Sequence, residues 1–161
     1  MRGGAMRPRH GSGVMTMRFD ERATAPYAAA LLRVTLGLAF LAHGLVLKAM
    51  TFGIGGTMGY FGSIGYPPVF GMIVTFAEIA AGVALIAGVW VWAVSLLAIP
   101  ILLGATAQHL PNGWVFNATG GGWEFPAIWT VLLIVQAGLG AGAWAVDAGR
   151  LLGRPDGVKT A

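Results

Sequence analysis

Four long apolar segments, separated by short polar or glycine-rich stretches, dominate the pattern along the chain. They cover residues 27–47, 69–89, 90–108 and 125–146. Each approaches the roughly 20 residues that an α-helix needs to cross a hydrocarbon layer of about 30 Å. The pattern therefore predicts an all-α, integral membrane four-helix bundle. The second and third segments adjoin at Trp90 and Trp92, which are typical of the headgroup zone, so we expect a turn there. One continuous buried helix is the alternative.

Polar sequence flanks this apolar region on both sides. Residues 1–25 are rich in Gly and Arg and predict a flexible basic arm, residues 26–148 form the predicted membrane domain, and residues 149–161 form a polar tail. The first apolar segment is longer than the 7–15 apolar residues of a secretory signal peptide. We therefore expect it to be the first membrane helix.

The composition excludes an ordinary soluble domain. Hydrophobic residues make up 57% of the chain and charged residues 10%, whereas soluble domains carry about 25% charged residues. The abundance of apolar side chains also argues against disorder over most of the length. The sequence has no Cys, so this chain alone supplies no disulfide, Cys-ligated zinc or iron–sulfur cluster.

Eight of the ten Lys and Arg residues lie towards the two ends of the chain, and its formal net charge is +4. Because cytoplasmic segments of membrane proteins are enriched in Lys and Arg, both termini are predicted to be cytoplasmic. Residues 48–68 and 109–124 then form outer loops, and residues 89–92 form an inner turn. Basic ends of this kind fit anionic lipid headgroups, and the lipid bilayer, not nucleic acid, is the predicted partner.

Small residues recur on single faces of the predicted helices. Gly71, Thr75, Glu78 and Gly82 share one face of the second helix, which we expect to face the bundle interior because small residues let membrane helices approach closely. Leu133 and Gln136 belong to a similar face of the fourth helix. Such Gly-rich faces also make a homo-oligomer plausible.

Ionisable and polar residues inside or beside the apolar segments are the candidates for function. A charged group at the centre of a membrane helix costs roughly 2.5–3.5 kcal/mol on insertion scales. A rise of about 1.5 Å per residue places most of them in the outer half of the membrane and Arg33 in the inner half. The sequence therefore predicts an outward-opening polar cavity with Glu78 at its floor. The candidate ligand-binding residues are Arg33, His43, Glu78, His109, Asn112 and Glu124.

Each candidate also has a simpler interpretation. Glu78 is either a protonated structural carboxyl, a proton exchanger or a metal ligand, and His43 is expected to pair with Glu78 or with a carbonyl. Arg33 could serve only as an interface anchor. The spacings match no local metal motif, so we predict no metal site. The outer sequences HLPNGW and GGGWEFP form either an aromatic belt around a re-entrant loop or a lid for a planar amphiphile such as a quinone head.

Several of these motifs resemble the DoxX family over about residues 27–147. LLRVTLGLAFLAHGLVLK at residues 31–48 resembles its first helix, and FAEIAAG at 76–82 resembles its second-helix Glu motif. HLPNG at 109–113 and WEFP at 123–126 resemble its outer loop. The resemblance implies a multi-pass protein of the bacterial plasma (inner) membrane. The family's name derives from a small subunit of a terminal quinol oxidase, and other members are associated with thiol and oxidative-stress systems.

The leading functional hypothesis is an accessory component of a membrane redox complex that binds a quinone-like lipophile in the outer cavity. Glu78 would exchange protons, His43 would relay them, and His109, Asn112 and Glu124 would form the mouth. No intrinsic cofactor is predicted, so a partner subunit would supply the electrons. Whether the chain is itself an enzyme stays open. The alternatives are a small proton-coupled transporter of a lipophilic or weakly acidic solute, and a scaffold subunit without a ligand.

Overall fold

The computed structural model describes residues 20–146, and the described chain is helical and without strands. The bulk of the predicted basic arm and the whole predicted tail of residues 149–161 lie outside the described residues. The elements are α1 (Glu21–Leu41), a π-helical segment (Ala42–Thr51), α2 (Gly53–Ser63), α3 (Val69–Ala87), α4 (Val91–His109), a 3-10 turn (Leu110–Asn112) and α5 (Glu124–Leu139). The all-α fold class is therefore confirmed.

Helix α1 begins inside the predicted arm, at Glu21. The Asp20 carboxylate accepts hydrogen bonds from the backbone N–H groups of Arg22 at 3.1 Å and Ala23 at 3.4 Å. Such an N-cap satisfies donors that have no partner within the helix. The carboxylate of Asp20 thus fixes a helix start that the apolar pattern does not show.

Three helical stretches are long and apolar enough to cross a membrane: Glu21–Thr51, Val69–Ala87 and Val91–Asn112. Helix α5 has 16 residues, so it is about 24 Å long. It ends at Leu139, seven residues before the predicted boundary, because Gly140 and Gly142 take positive φ angles of 74° and 68° and turn the chain. A fourth crossing and the cytoplasmic placement of both termini stay predictions.

A tight turn separates α3 from α4, as the aromatic junction predicted. Gly88 ends α3 with a φ of 79°, and Trp90 takes the left-handed conformation with a φ of 46° just before α4. We call this end of the bundle the inner end. The outer end is the one that carries α2 and residues 110–123.

The predicted outer loop 48–68 is wrong as a loop, because the structure makes most of it helical. The π-helical segment continues α1 through Thr51, and α2 follows at once. Helix α2 folds back onto the start of α3, where a Cβ on Gly71 would lie only 2.9 Å from the carbonyl oxygen of Thr57. Packing against α3 therefore orders a glycine-rich stretch whose intrinsic helix propensity is low.

Close glycine contacts bring α1 against α3. A Cβ on Gly37 would lie 2.9 Å from the carbonyl oxygen of Gly82, and a Cβ on Gly82 would lie equally close to that of Gly37. The predicted inward face of α3 is confirmed, since Gly71, Thr75, Glu78 and Gly82 are buried. The hydrophobic core is formed by Leu36, Phe40, Ala81, Leu85, Val91, Ala98, Leu102, Trp129 and Leu133.

After α5, residues 140–146 turn under the bundle and close its inner end; we call them the inner strap. The backbone N–H of Ala143 donates to the carbonyl of Pro26 at 2.9 Å, and that of Val146 donates to the carbonyl of Ala87 at 3.0 Å. The inner strap therefore ties the start of α1 to the end of α3.

Candidate functional site

Arg33 lies at the inner end, apart from the other predicted residues. It is buried, with 1% of its surface exposed. Its guanidinium donates to the carbonyls of Leu85 and Ile86 at 3.1 and 3.2 Å, and to that of Ala143 at 3.1 Å. Cations are favourable at the carbonyl-rich end of a helix. Arg33 thus caps α3 and holds the inner strap, and its guanidinium is buried instead of reaching out to the membrane surface.

Glu78 forms an ion pair with Lys48 inside the bundle. The Lys48 Nζ donates to the two carboxylate oxygens at 2.9 and 2.6 Å. The Lys48 and Glu78 side chains are 18% and 6% exposed. Glu78 lies nine residues after the start of α3, which is about 13–14 Å along the helix and near its middle. Two charges that would each be costly in lipid therefore neutralise each other at this depth.

The π-helical segment carries both Lys48 and His43. Its i→i+5 bonding continues to the end, where the N–H of Phe52 donates to the carbonyl of Leu47 at 2.9 Å. Single-turn π-bulges occur frequently at functional sites. The π-helical segment here is longer, with 10 residues. The buried hydroxyl of Thr57 donates to the carbonyl of Lys48 at 3.0 Å, so α2 is fastened directly over the ion pair.

Gly44 sets the distance between this segment and α3. A Cβ at Gly44 would lie 2.8 Å from the Cβ of Glu78 and 3.0 Å from the backbone N of Ile79 and the O of Thr75. Those contacts leave no room for a side chain. The missing side chain lets the two helices meet closely enough for Lys48 to reach Glu78.

His43 faces α5 instead of Glu78. Its ring centroid lies 5.3 Å from that of Trp129 and 6.2 Å from that of Phe125, with planes inclined by 22° to the Phe125 ring. Its imidazole hydrogen-bonds to none of the described residues, so the expected partnership with Glu78 or a carbonyl is not seen. Gly44 and Lys48 contact α3 and so pair with Glu78, whereas the His43 ring contacts Phe125 and Trp129 of α5.

Trp129 completes an aromatic cluster, which we define as Phe40, His43, Phe125 and Trp129. The Trp129 and Phe40 centroids are 4.7 Å apart, and those of Trp129 and Phe125 are 5.6 Å apart. The indole is 5% exposed, and its buried Nε1 has no hydrogen-bond acceptor among the described residues. Buried indole N–H groups usually find a partner. This unpaired donor is therefore a position where a ligand acceptor would be favourable.

The outer loop brings together the other three predicted residues. His109 Nδ1 lies 3.1 Å from the carbonyl oxygens of both Gly120 and Gly121, and Asn112 donates to the same two oxygens at 2.9 Å. Glu124 accepts a hydrogen bond from the Phe116 N–H at 3.0 Å. All three side chains thus bind the backbone of the loop and hold its ends together above the bundle.

The structure therefore separates the six predicted residues into distinct places. Arg33 lies at the inner end, and Glu78 on α3 pairs with Lys48. His43 belongs to the aromatic cluster, and the remaining three close the outer loop. Among residues 20–146, no three His, Asp or Glu side chains converge as metal ligands would. A cavity of about 530 Å³ opens at the inner end, between the start of α1 and the end of α5.

Two residues of the site are missing from the sequence prediction, Lys48 and Trp129. Lys48 is the one Lys or Arg between Arg33 and Arg150. A single basic residue in so long an apolar region could have indicated a partner for Glu78. Trp129 reads in the sequence as one more apolar residue of a membrane helix. Two further polar side chains, Ser95 and Gln136, are fully buried and each carries an atom without a partner among the described residues.

Comparison with known proteins supports the resemblance seen in the motifs. The sequence model of the DoxX family matches residues 28–118, which is more than half of the chain. The match contains Lys48 and Glu78, whereas Glu124 and α5 lie beyond its end. No curated protein and no solved structure matches the chain significantly. The family match and the apolar helices together identify a membrane protein, and the chain belongs to the DoxX family.

Proposed function

We propose that the protein is an accessory component of a redox system in the bacterial plasma (inner) membrane and that it binds a quinone-like lipophile. The binding position is the aromatic cluster between the π-helical segment and α5. The observation that carries the proposal is the buried Trp129 N–H, which has no acceptor among residues 20–146. The Trp129 ring lies next to that of His43, which also forms no hydrogen bond within that range. Membership of the DoxX family supports the redox role, because the family's name derives from a quinol oxidase subunit. The intramembrane ion pair supports it because paired charges can exchange protons.

The chemistry of the cluster suits a planar head with carbonyl oxygens. A buried donor left without a partner costs roughly 1–3 kcal/mol, which a quinone carbonyl accepting from Trp129 Nε1 would recover. The flat faces of Phe125 and His43 favour offset stacking with a second ring. His43 is half-buried and free to donate from a ring nitrogen to the second carbonyl.

The Lys48–Glu78 pair supplies a proton route next to this position. A bound quinone accepts two electrons and two protons on reduction, and the electrons would come from a redox cofactor of a partner subunit. Lys48 follows His43 by five residues, about one turn in an i→i+5 helix. The Lys48 ammonium holds a proton and the Glu78 carboxylate accepts one, so the pair serves to pass protons towards His43.

The other predicted residues support the position from a distance. His109, Asn112 and Glu124 hold the outer loop closed above α5, and Glu124 itself begins that helix. Arg33 fixes the opposite end of the bundle. In this proposal these four are positioning residues, while His43, Trp129 and the ion pair serve the lipophile directly.

A small proton-coupled transporter is the second candidate, and the ion pair near the middle of α3 favours it. Paired charges inside membrane helices mark ion and proton pathways. In that case the same Lys48–Glu78 pair would exchange protons while a lipophilic or weakly acidic solute crosses the membrane. Uptake into proteoliposomes that requires a pH gradient would identify this function.

Quinone binding to the purified, detergent-solubilised protein tests the proposal. We expect a short-chain ubiquinone analogue to bind and Trp129→Phe to weaken binding about tenfold, because the variant keeps the ring and loses the N–H donor. Trp92→Phe is the matched control, since Trp92 is 63% exposed at the inner turn and should leave binding unchanged. Equal affinity of wild type and Trp129→Phe contradicts the site, and no binding to wild type supports a scaffold role.

A further inference from the structure

The cavity of about 530 Å³ at the inner end belongs to none of the positions described so far. It lies between the first turns of α1 and the end of α5, and the small side chains around it leave the space open. Its walls are Arg22, Ala25, Pro26, Ala29, Leu139 and Gly142. Among these described residues the wall is apolar except at Arg22, which provides a cation.

From this arrangement we infer that the cavity binds the headgroup of an anionic phospholipid that carries hydroxyl groups, of the phosphatidylglycerol type. The phosphate would bind the exposed guanidinium of Arg22, and the first part of an acyl chain would contact Leu139 and the alanines. Anionic lipids are attracted to basic segments at the membrane surface. The site does not involve the aromatic cluster and stands independently of the proposed quinone binding.

The backbone of α1 offers a second recognition element in the same place. Pro26 lies inside the helix and has no N–H, so the carbonyl of Arg22 lacks the donor that an α-helix normally provides four residues later. A helix carbonyl that loses its usual backbone donor is unfavourable near lipid. The hydroxyl groups of a glycerol headgroup are donors that satisfy it, whereas a choline headgroup has no such donor.

Two acidic residues precede Arg22 in the chain, but neither lines the cavity. The Asp20 carboxylate is engaged by the N–H groups of Arg22 and Ala23 at the helix start. Glu21 is the neighbour of Arg22 in the chain, and adjacent residues of a helix do not face each other. Among the described wall residues, Arg22 is therefore the one that brings a charge to the cavity.

Lipid binding here would also stabilise the inner strap. Gly142 lines the cavity, and the next residue, Ala143, bonds to Pro26 and to Arg33. A headgroup between Arg22 and Gly142 therefore adds contacts between α1 and the inner strap, which the bonds of Ala143 already join. A ligand that binds only the folded state raises the midpoint of thermal unfolding.

Thermal unfolding of the full chain in a mild detergent, with added lipid, tests this inference. At a hundredfold excess over its Kd, dioleoylphosphatidylglycerol should raise the Tm by about 5–10 °C, and dioleoylphosphatidylcholine should give a much smaller rise. Arg22→Gln and Ala25→Phe should abolish the difference, the first by removing the charge and the second by filling the cavity. Ala28→Phe is the matched control, because Ala28 is exposed on the same helix and does not line the cavity.

Each outcome decides for or against the lipid site. Equal effects of the two lipids, or a phosphatidylglycerol effect that survives in Ala25→Phe, would overturn it. Loss of the effect in Ala28→Phe as well would show that the cavity is not responsible. If glycerol 3-phosphate alone reproduced the full rise in Tm, the ligand would be a free phosphate ester and the proposed membrane lipid would be wrong.

Discussion

Replacing Glu78 with leucine is expected to lower the free energy of unfolding by about 3–5 kcal/mol. The variant leaves the Lys48 ammonium, which is 18% exposed, without its carboxylate inside an apolar bundle. A buried charge that loses its partner keeps the full cost of leaving water. Chemical unfolding in detergent, followed by helical circular dichroism, measures the loss.

The double variant Lys48→Met/Glu78→Leu is the control for this prediction. It removes both charges and keeps similar side-chain volumes, and replacement of a complete buried pair by apolar residues is often neutral or stabilising. We expect it to unfold within about 1 kcal/mol of wild type or above it. A double variant as unstable as Glu78→Leu alone would mean that the unpaired lysine is not the cause.

Gly44→Ala is expected to destabilise the protein by about 1–3 kcal/mol. The added methyl group would lie 2.8 Å from the Cβ of Glu78 and 3.0 Å from backbone atoms of α3. Because backbone cannot move aside as a flexible side chain does, the π-helical segment and α3 must separate. The same unfolding measurement reports the effect.

Gly104→Ala provides the comparison, since Gly104 lies within α4 and a Cβ there meets nothing within 4 Å. Alanine in place of glycine inside a helix stabilises it by roughly 0.5–1 kcal/mol. The two substitutions should therefore act in opposite directions. If both variants shifted stability alike, the close approach at Gly44 would not be the cause.

The apolar pattern could predict the helices and their inward faces because helical periodicity depends on the sequence alone. Gly71, Thr75, Glu78 and Gly82 recur at helical spacing, and the structure buries that face. The turn before α4 was predictable from Trp90 and Trp92 for a similar reason. Such local signals require no knowledge of which helix packs against which.

The partners of the polar side chains could not be predicted in this way. Lys48 reaches Glu78 only because the chain continues past Leu41 as a π-helix and packs on α3 at Gly44. Helix α2 forms for a related reason, since its glycines disfavour a helix until α3 covers them. Both features arise from tertiary contacts, which the pattern along a single segment does not reveal.

In the outer loop, too, the local turn follows from residue types, whereas the side-chain partners do not. The backbone preferences of Pro111, Asn112 and Gly113 favour a turn, and the structure has one there. The carbonyls that His109 and Asn112 bind belong to Gly120 and Gly121, which take positive φ angles of 85° and 79°. Those angles orient the acceptors, and the spacing of residue types does not reveal them.

Infrared difference spectroscopy of wild type against Glu78→Gln, in lipid at neutral pH, tests the intramembrane ion pair most directly, because ionised and protonated carboxyl groups absorb at separate frequencies. We expect the variant to lose a carboxylate band and to leave the protonated-carboxyl region unchanged, with Glu124→Gln as the control for a carboxylate at the outer loop. Loss of a protonated-carboxyl band in Glu78→Gln would contradict the ion pair with Lys48 and the proton route built on it.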